Sequence, residues 1–275
     1  MGELKASSEG IPVVVLAGGK SRPELAAATG AESRANVKLG GIALLDRVLA
    51  ALSAARSGGA PLGAVIVVTS AANPPDCTLV ADAGGFVENL FAGLSAAGAA
   101  ESCLISTCDI PFVTAGAITH LTENAGRLLI EGEADLVWPI VPVATCYEKY
   151  PGVKRTAIKV REGQFTGGNM MLARPAALLA KRSRIAQVYG ARKSPLRLAM
   201  MLGPSAVARL AVSQTAAPGA LPLAWLERRA SAIIGARARA LISPYAELAT
   251  DLDRASDFEA AEAFIRRDSG EAGAE

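Results

Sequence analysis

The chain has one histidine, His120, among 275 residues, and that scarcity removes most routes to a Ser-His-Asp triad, a zinc hydrolase or imidazole acid–base chemistry. His120 falls in a helical stretch and reads as structural. The four cysteines, Cys77, Cys103, Cys108 and Cys146, form no Cys-x-x-Cys pair and sit largely in apolar surroundings. They read as buried thiols acting as small hydrophobes, not as zinc ligands or disulfide partners. Long apolar runs are also missing. The run over residues 11–17 is far too short to span a bilayer, and the polar opening lacks the basic-then-apolar order of a leader peptide. A cytoplasmic protein without a membrane partner is expected. Neither charge sign dominates: 28 basic and 26 acidic residues are interspersed, for a net charge of +2. No field points to nucleic acid, although a compact anionic ligand fits the same balance.

Apolar residues make up 51% of the chain, and only 4% of residues are aromatic. This composition suits Ala-rich helices packed closely on a sheet, and the length suits one large α/β domain over residues 1–275. Residues 11–16 form a β-branched run that ends in Ala17-Gly18-Gly19, the pattern of a buried strand opening into a glycine turn. Residues 20–34 carry no consistent period and read as a loop. Helical spacing follows over 42–55, with Gly58-Gly59 expected to close that helix. Then come a strand at 64–69, a helix at 86–97, a strand at 103–107 leading to Asp109, and a helix capped by Thr114. The alternation predicts parallel βαβ units with helices on both faces. Residues 134–173 change character, with short strands broken by glycine and proline that predict an antiparallel insert over the sheet and walling a substrate site. Helices are expected over 175–202 and 222–234, a late strand at 238–243, and a final amphipathic helix after Asp251-Leu252-Asp253.

The segment Leu16-Ala17-Gly18-Gly19-Lys20-Ser21-Arg22 lies where α/β sheets bind ligands, at the carboxyl end of the first strand. Paired glycines let backbone amides approach a phosphate or a base edge, and Lys20 and Arg22 supply positive charge. Neither Gly-x-Gly-x-x-Gly nor Gly-Lys-Ser/Thr occurs there, so this is not the dinucleotide fingerprint or the Walker loop.

Three segments in order, Val15 to Gly19, Val37 to Leu49 with its Leu39-Gly40-Gly41, and Thr107-Cys108-Asp109-Ile110-Pro111, resemble the signatures of the MobA-like NTP transferases. Thr166-Gly167-Gly168-Asn169 and the run from Asp251 to Phe258 resemble two further landmarks of that family. The resemblance implies a Rossmann-like GT-A nucleotidyltransferase fold. It further implies a Mg2+-dependent enzyme that moves an NMP from an NTP, GTP or CTP slightly favoured, to a phosphorylated small-molecule acceptor, as monomer or homodimer. Leu16, Ala17, Gly18 and Gly19 would hold base and ribose through the main chain, with Arg22 and Lys38 nearby. Arg34 matches the basic residue before the Leu-Gly-Gly segment and, with Lys20, would act on the phosphates. Asp109 would bind magnesium, with Asp253 or Asp251 as second ligand, and Thr166, Gly167, Gly168 and Asn169 would contact the acceptor.

Nucleotidyl transfer needs several negative charges neutralised and an in-line geometry held, not a covalent nucleophile. Two aspartates from separate loops suit magnesium, which takes hard oxygen ligands and usually one or two protein carboxylates. For each of these residues a plainer role stands beside the functional one: Asp109 as a cap before Pro111, Asp251, Asp253 and Asp257 as caps of the final helix, and Gly167-Gly168 as a turn. Lys154, Arg155, Lys159 and Arg161 alternate over a hairpin that either meets an anionic acceptor or presents a solvated face. The loop departs from the family: its Met-Gly pair is missing and Arg34 stands at the lysine position. A sugar-1-phosphate nucleotidyltransferase and a nucleotide-binding module without turnover are the alternatives; a Rossmann oxidoreductase lacks its glycine fingerprint.

Overall fold

The computed structural model describes residues 10–153, 155–191, 201, 203–215 and 221–268. Lys154, most of the expected helix beyond residue 191 and the tail after residue 268 lie outside the described residues. The chain order is β1 (Val13–Leu16), α1 (Pro23–Thr29), a 3₁₀ turn (Arg34–Asn36), β2 (Lys38–Leu39), β3 (Ile42–Ala43), α2 (Leu44–Ala54), β4 (Arg56–Ser57), β5 (Ala60–Pro61), β6 (Val65–Val68), β7 (Thr78–Val80), α3 (Phe86–Ala96), β8 (Cys103–Thr107) and α4 (Ala115–Ile130). It continues through β9 (Leu136–Pro142), α5 (Val143–Lys149), β10 (Ile158–Val160), β11 (Gly163–Gly167), β12 (Met170–Ala173), α6 (Pro175–Leu179), α7 (Arg182–Ala191), α8 (Pro204–Thr215), α9 (Leu223–Ile234), β13 (Ala238–Ile242) and α10 (Ala255–Asp268).

The main sheet runs β10-β11-β9-β12-β8-β1-β6-β7, with β13 parallel to β9. Its centre is parallel, as the strand–helix alternation predicts: β1 lies between β6 and β8, with Val13 opposite Val65 and Leu104. All four residues of β1 are buried because both faces are covered. Val13 and Val15 face a core closed by α2 and α4, and Val14 and Leu16 face one closed by α3, α6 and α7. Helix α3 lies so close to β1 that a Cβ on Gly93 would sit 2.4 Å from Val14 Cγ1.

The 134–173 stretch is antiparallel, but β9 and β12 join the main sheet instead of lying over it, β12 pairing with both β8 and β9. It also holds helix α5, whose buried Val143 and Cys146 give a single helical step too short to read as a period. Two local expectations are corrected. Residues 20–34 contain α1, started by Pro23 at its first turn, with acidic Glu24, and stopped by left-handed Gly30 (φ 70°). Leu25 is its one buried residue, so no apolar stripe marks it. Gly58 (φ 58°) and Gly59 (φ 81°) do not close α2, which ends at extended Ala55; they form the two-residue turn of the β4–β5 hairpin, where both positions need positive φ. Thr114 caps α4 as expected, its hydroxyl accepting from Ala117 N.

Helix α10 returns the end of the chain to the glycine loop. Leu25, Val37, Leu39 and Leu44 form a small core with Leu252 and Ala261, and Phe112, Tyr150 and Phe264 pack as an aromatic trio beside it. Among the described residues no helix is long and apolar enough to cross a membrane.

Candidate active site

The site forms at the carboxyl ends of the parallel strands. Ala17 N still bonds Val68 O at 3.0 Å, and the chain then turns at Gly18 and Gly19. A Cβ on Gly18 would meet Asn89 Nδ2 at 2.5 Å and Asp82 Cγ at 2.8 Å, and Gly19 has φ 108°, a conformation side chains rarely adopt. Gly19 N donates to Asp82 Oδ2 at 3.2 Å. Asp82 Oδ1 accepts from Gly84 N (2.9 Å) and Asn89 Nδ2 (2.8 Å), and Asn89 Oδ1 accepts from Ala83 N. The Gly84 amide first, then Asn89, with a smaller part from Gly19, hold the Asp82 carboxyl below its ordinary range. Asp82 and Asn89 were not singled out from the sequence. The signal for them was a polar Asn89 on the buried side of α3, just after an acidic residue and two glycines.

Beyond Gly19 the loop closes on itself: Lys20 pairs with Ser33 across a short antiparallel bridge, and Ser21 N bonds Glu32 O. This returns the 3₁₀ turn to the glycines and aims Arg34 at the end of β8. Arg34 Nη1 donates to Asp109 Oδ2 at 2.7 Å and to Asp253 Oδ1 at 2.8 Å. Arg22 Nη2 takes the other Asp253 oxygen at 2.7 Å. Burial opposes the charge on Arg34, but Asp109 and then Asp253 outweigh it and hold the guanidinium above its usual value. A Cβ on Gly19 would lie 3.9 Å from Arg34 Nη2, so the glycine turn, Arg34 and both aspartates form one continuous surface.

Asp109 is buried, and its Oδ1 is sealed from solvent without a hydrogen-bond partner. Its carbonyl accepts from Leu252 N at 2.9 Å, fixing the 251–253 segment beside β8. Asp257 is buried and accepts from Asp253 N and Arg254 N, so it caps α10. Asp251 lies within reach of the same charges. Burial, then the neighbouring Asp109 carboxylate, push its carboxyl up to about 6. Behind it, Arg155, 2% exposed at its side chain, donates to Ala249 O (2.6 Å) and Thr250 Oγ1 (2.8 Å) and approaches Asp251 at 3.9 Å. Arg155 therefore braces the acidic segment and is not part of a solvated face. Burial, then Asp109, push the Cys108 thiol up to about 12, so it stays protonated and is no nucleophile.

Thr166, Gly167, Gly168 and Asn169 lie across β8 from β1. They form a bend in a strand, not a hairpin turn: β11 pairs with the end of β9 and β12 with its start. Gly168 is needed there because a Cβ would lie 2.8 Å from Pro139 Cγ and 3.1 Å from Leu248 O. Asn169 N bonds Leu248 O (2.7 Å) and its carbonyl accepts from Thr107 N (3.1 Å), two residues before Asp109. Leu16 and Ala17 are buried, so only their main chain remains for a ligand, while Lys20 is exposed. Among the described residues Asp253 and Asp109 pair with Arg22 and Arg34 and not with Lys38, which lines a cavity of about 540 Å³ with Ser33, Asn36 and Ala71.

A hard divalent cation fits this donor set. Two carboxylates converge, and one buried Asp109 oxygen lacks a partner. Among the described residues no three His, Cys, Asp or Glu side chains gather into a metal cage. Magnesium needs none, since it commonly takes one or two carboxylates and completes its shell from substrate phosphates and water.

A glycine turn and acidic side chains at the carboxyl ends of the parallel central strands of a mixed sheet define an α/β protein of the nucleotidyltransferase fold. The chain belongs to the family of the MobA-like NTP transferase domain, whose model matches residues 13–193. It is similar to a hypothetical transferase from Thermus thermophilus, with 35% identity over 90% of this chain and 99% of that one, at a TM-score of 0.73. The fold is shared with a 2-C-methyl-D-erythritol 4-phosphate cytidylyltransferase, also from Thermus thermophilus (17% identity, 94% and 99% of the two chains, TM-score 0.52). It is shared equally with a nucleotidyl transferase from Methanothermobacter thermautotroptrophicus (17%, 94% and 99%, TM-score 0.53). No curated protein sequence matches the chain.

Proposed function

We propose that this protein, acting as one domain in the cytoplasm, transfers a nucleoside monophosphate from GTP or CTP to a phosphorylated small molecule. An acceptor phosphate oxygen attacks the α-phosphorus, a P–O–P bond forms, the α–β phosphoanhydride breaks, and pyrophosphate leaves. The observation that carries this reading is the Arg34 guanidinium, which faces Gly19 and spans Asp109 and Asp253. A triphosphate at the glycine turn therefore meets cationic and acidic side chains together.

The main chain from Leu16 to Gly19 would seat the nucleoside, with Asp82 and Asn89 holding the turn in shape. Lys20, Arg22 and Arg34 would draw negative charge off the phosphates, Arg34 from a planar donor set whose Nη2 faces the glycine turn. Thr166 to Asn169, hydrogen-bonded to Thr107, would present the acceptor beside Asp109. Asp109 and Asp253, with Asp251 behind them, would hold Mg2+, which when bound neutralises the triphosphate and polarises the α-phosphoryl group. Transfer to a sugar 1-phosphate is a narrower version of the same chemistry. A binding module without turnover is the second reading, favoured by the loop that closes its own cations onto the aspartates. The test is pyrophosphate release from each of four NTPs against a panel of phosphorylated acceptors, with Mg2+ and with chelator. Release with one NTP–acceptor pair supports transfer; NTP binding without release under all conditions supports the binding module.

A further inference from the structure

The carboxylate pair is already filled by the protein's own cations. Guanidinium groups occupy three of the four oxygens of Asp109 and Asp253: Arg34 takes one from each and Arg22 a third. Only Asp109 Oδ1, buried and unpartnered, is left. An ion with ligand distances of about 2.0–2.1 Å cannot share these oxygens with a guanidinium lying between them.

We propose that Arg34 is the resident counter-cation of the Asp109–Asp253 pair, excluding a free divalent ion until a bound triphosphate draws the guanidinium away. The inference rests on the nucleotidyl-transfer reading and adds an order of events to it. Arg34 does not lose its proton near neutral pH, so it can leave the carboxylates only as a cation. Taking a buried carboxylate's partner away is costly unless another cation replaces it and the arginine finds a new anion. The glycine turn supplies the place for that anion, since Arg34 Nη2 already faces Gly19. Phosphate and guanidinium form strong bidentate pairs, so a short shift of the side chain would trade two carboxylate bonds for phosphate bonds. The departing charge is made good by the divalent ion that accompanies the nucleotide. Nucleotide and ion then promote each other's binding, as linkage requires.

The test uses Mn2+ as probe, read by the electron paramagnetic resonance signal of the free ion, on nucleotide-free protein. Wild type should bind Mn2+ weakly, and Arg34→Gln should bind one ion at least tenfold more tightly, a gain removed by adding Asp109→Asn. A folded Arg34→Gln protein that binds no more tightly than wild type overturns the proposal, as does a gain that survives Asp109→Asn. A second measurement needs no variant fold. The guanidinium 15N resonance of Arg34 in the wild type should move with MgGTP or MgCTP and stay in place with Mg2+ alone at the same concentration. Movement with Mg2+ alone contradicts the proposal. The Mn2+ arms contain no nucleotide and no acceptor, so a failure of turnover would leave their result intact and would sink only the functional reading.

Discussion

Removing Arg34 should destabilise the fold, and most of the loss should disappear when Asp109 is neutralised as well. The Asp109 side chain is 9% exposed and that of Arg34 is 31% exposed, so the pair lies between a surface ion pair and a buried one. Exposed pairs contribute roughly 0–1 kcal/mol. Stripping one partner from a buried pair costs about 3–5 kcal/mol, because the other charge is left without compensation. Since solvent screens Arg34 in part and Arg22 still neutralises Asp253, Arg34→Met should lower the unfolding free energy by about 1.5–3 kcal/mol. For a chain of 275 residues that corresponds to a fall in Tm of roughly 3–5 °C. On the Arg34→Met background, Asp109→Asn should recover about 1–2 kcal/mol, a coupling typical of contacting residues. Urea denaturation of wild type, both single variants and the double variant measures it. Additivity to within about 0.5 kcal/mol would mean that the 2.7 Å contact carries no energy and would refute the reasoning.

Two glycines should separate site from core. Gly18→Ala must push the Asn89 and Asp82 side chains aside and disturb the hydrogen bonds that shape the turn, so NTP affinity measured by calorimetry should fall at least tenfold. Gly93→Ala meets Val14 within the core, and the overpacking should cost about 1–3 kcal/mol in chemical denaturation with NTP affinity near that of wild type where the protein remains folded. Arg155→Met removes charged hydrogen bonds to Ala249 and Thr250, each worth about 1.5–3 kcal/mol at most. It should therefore destabilise the protein and loosen the acidic segment, seen as faster amide exchange over residues 249–253.

The strands of the sheet centre were legible because both of their faces are covered: Val13 to Leu16 is a continuous apolar run, and Cys103 to Ile105 is a shorter one that leads into Ser106 and Thr107, each bounded by turn residues as a buried strand would be. Helix α1 was not, since Leu25 alone anchors it, although Pro23 and Gly30 were the signals that bound it. Strand β7 was missed because it is three residues long at the sheet edge, with Thr78 and Leu79 exposed. In the candidate site, Asp109, Asp253, Arg34 and the glycines were named through the resemblance to the family, matched motif by motif along the chain. Their mutual pairing could not be read that way, because it depends on Leu252, just before α10, and Ala261, within it, packing against the loop. Asp82 and Asn89 were hidden for a related reason: each is an ordinary polar residue until the turn at Gly19 comes within hydrogen-bond reach.

The most direct measurement of the central claim is single-turnover pyrophosphate release, with saturating Mg2+, by wild type and by Asp109→Asn shown by circular dichroism to be folded. With the NTP and acceptor that wild type uses, the account predicts a loss of at least a thousandfold in Asp109→Asn and none of this release from wild type in chelator. Wild-type rates in the variant, or release that persists after the divalent ion is removed, would contradict it.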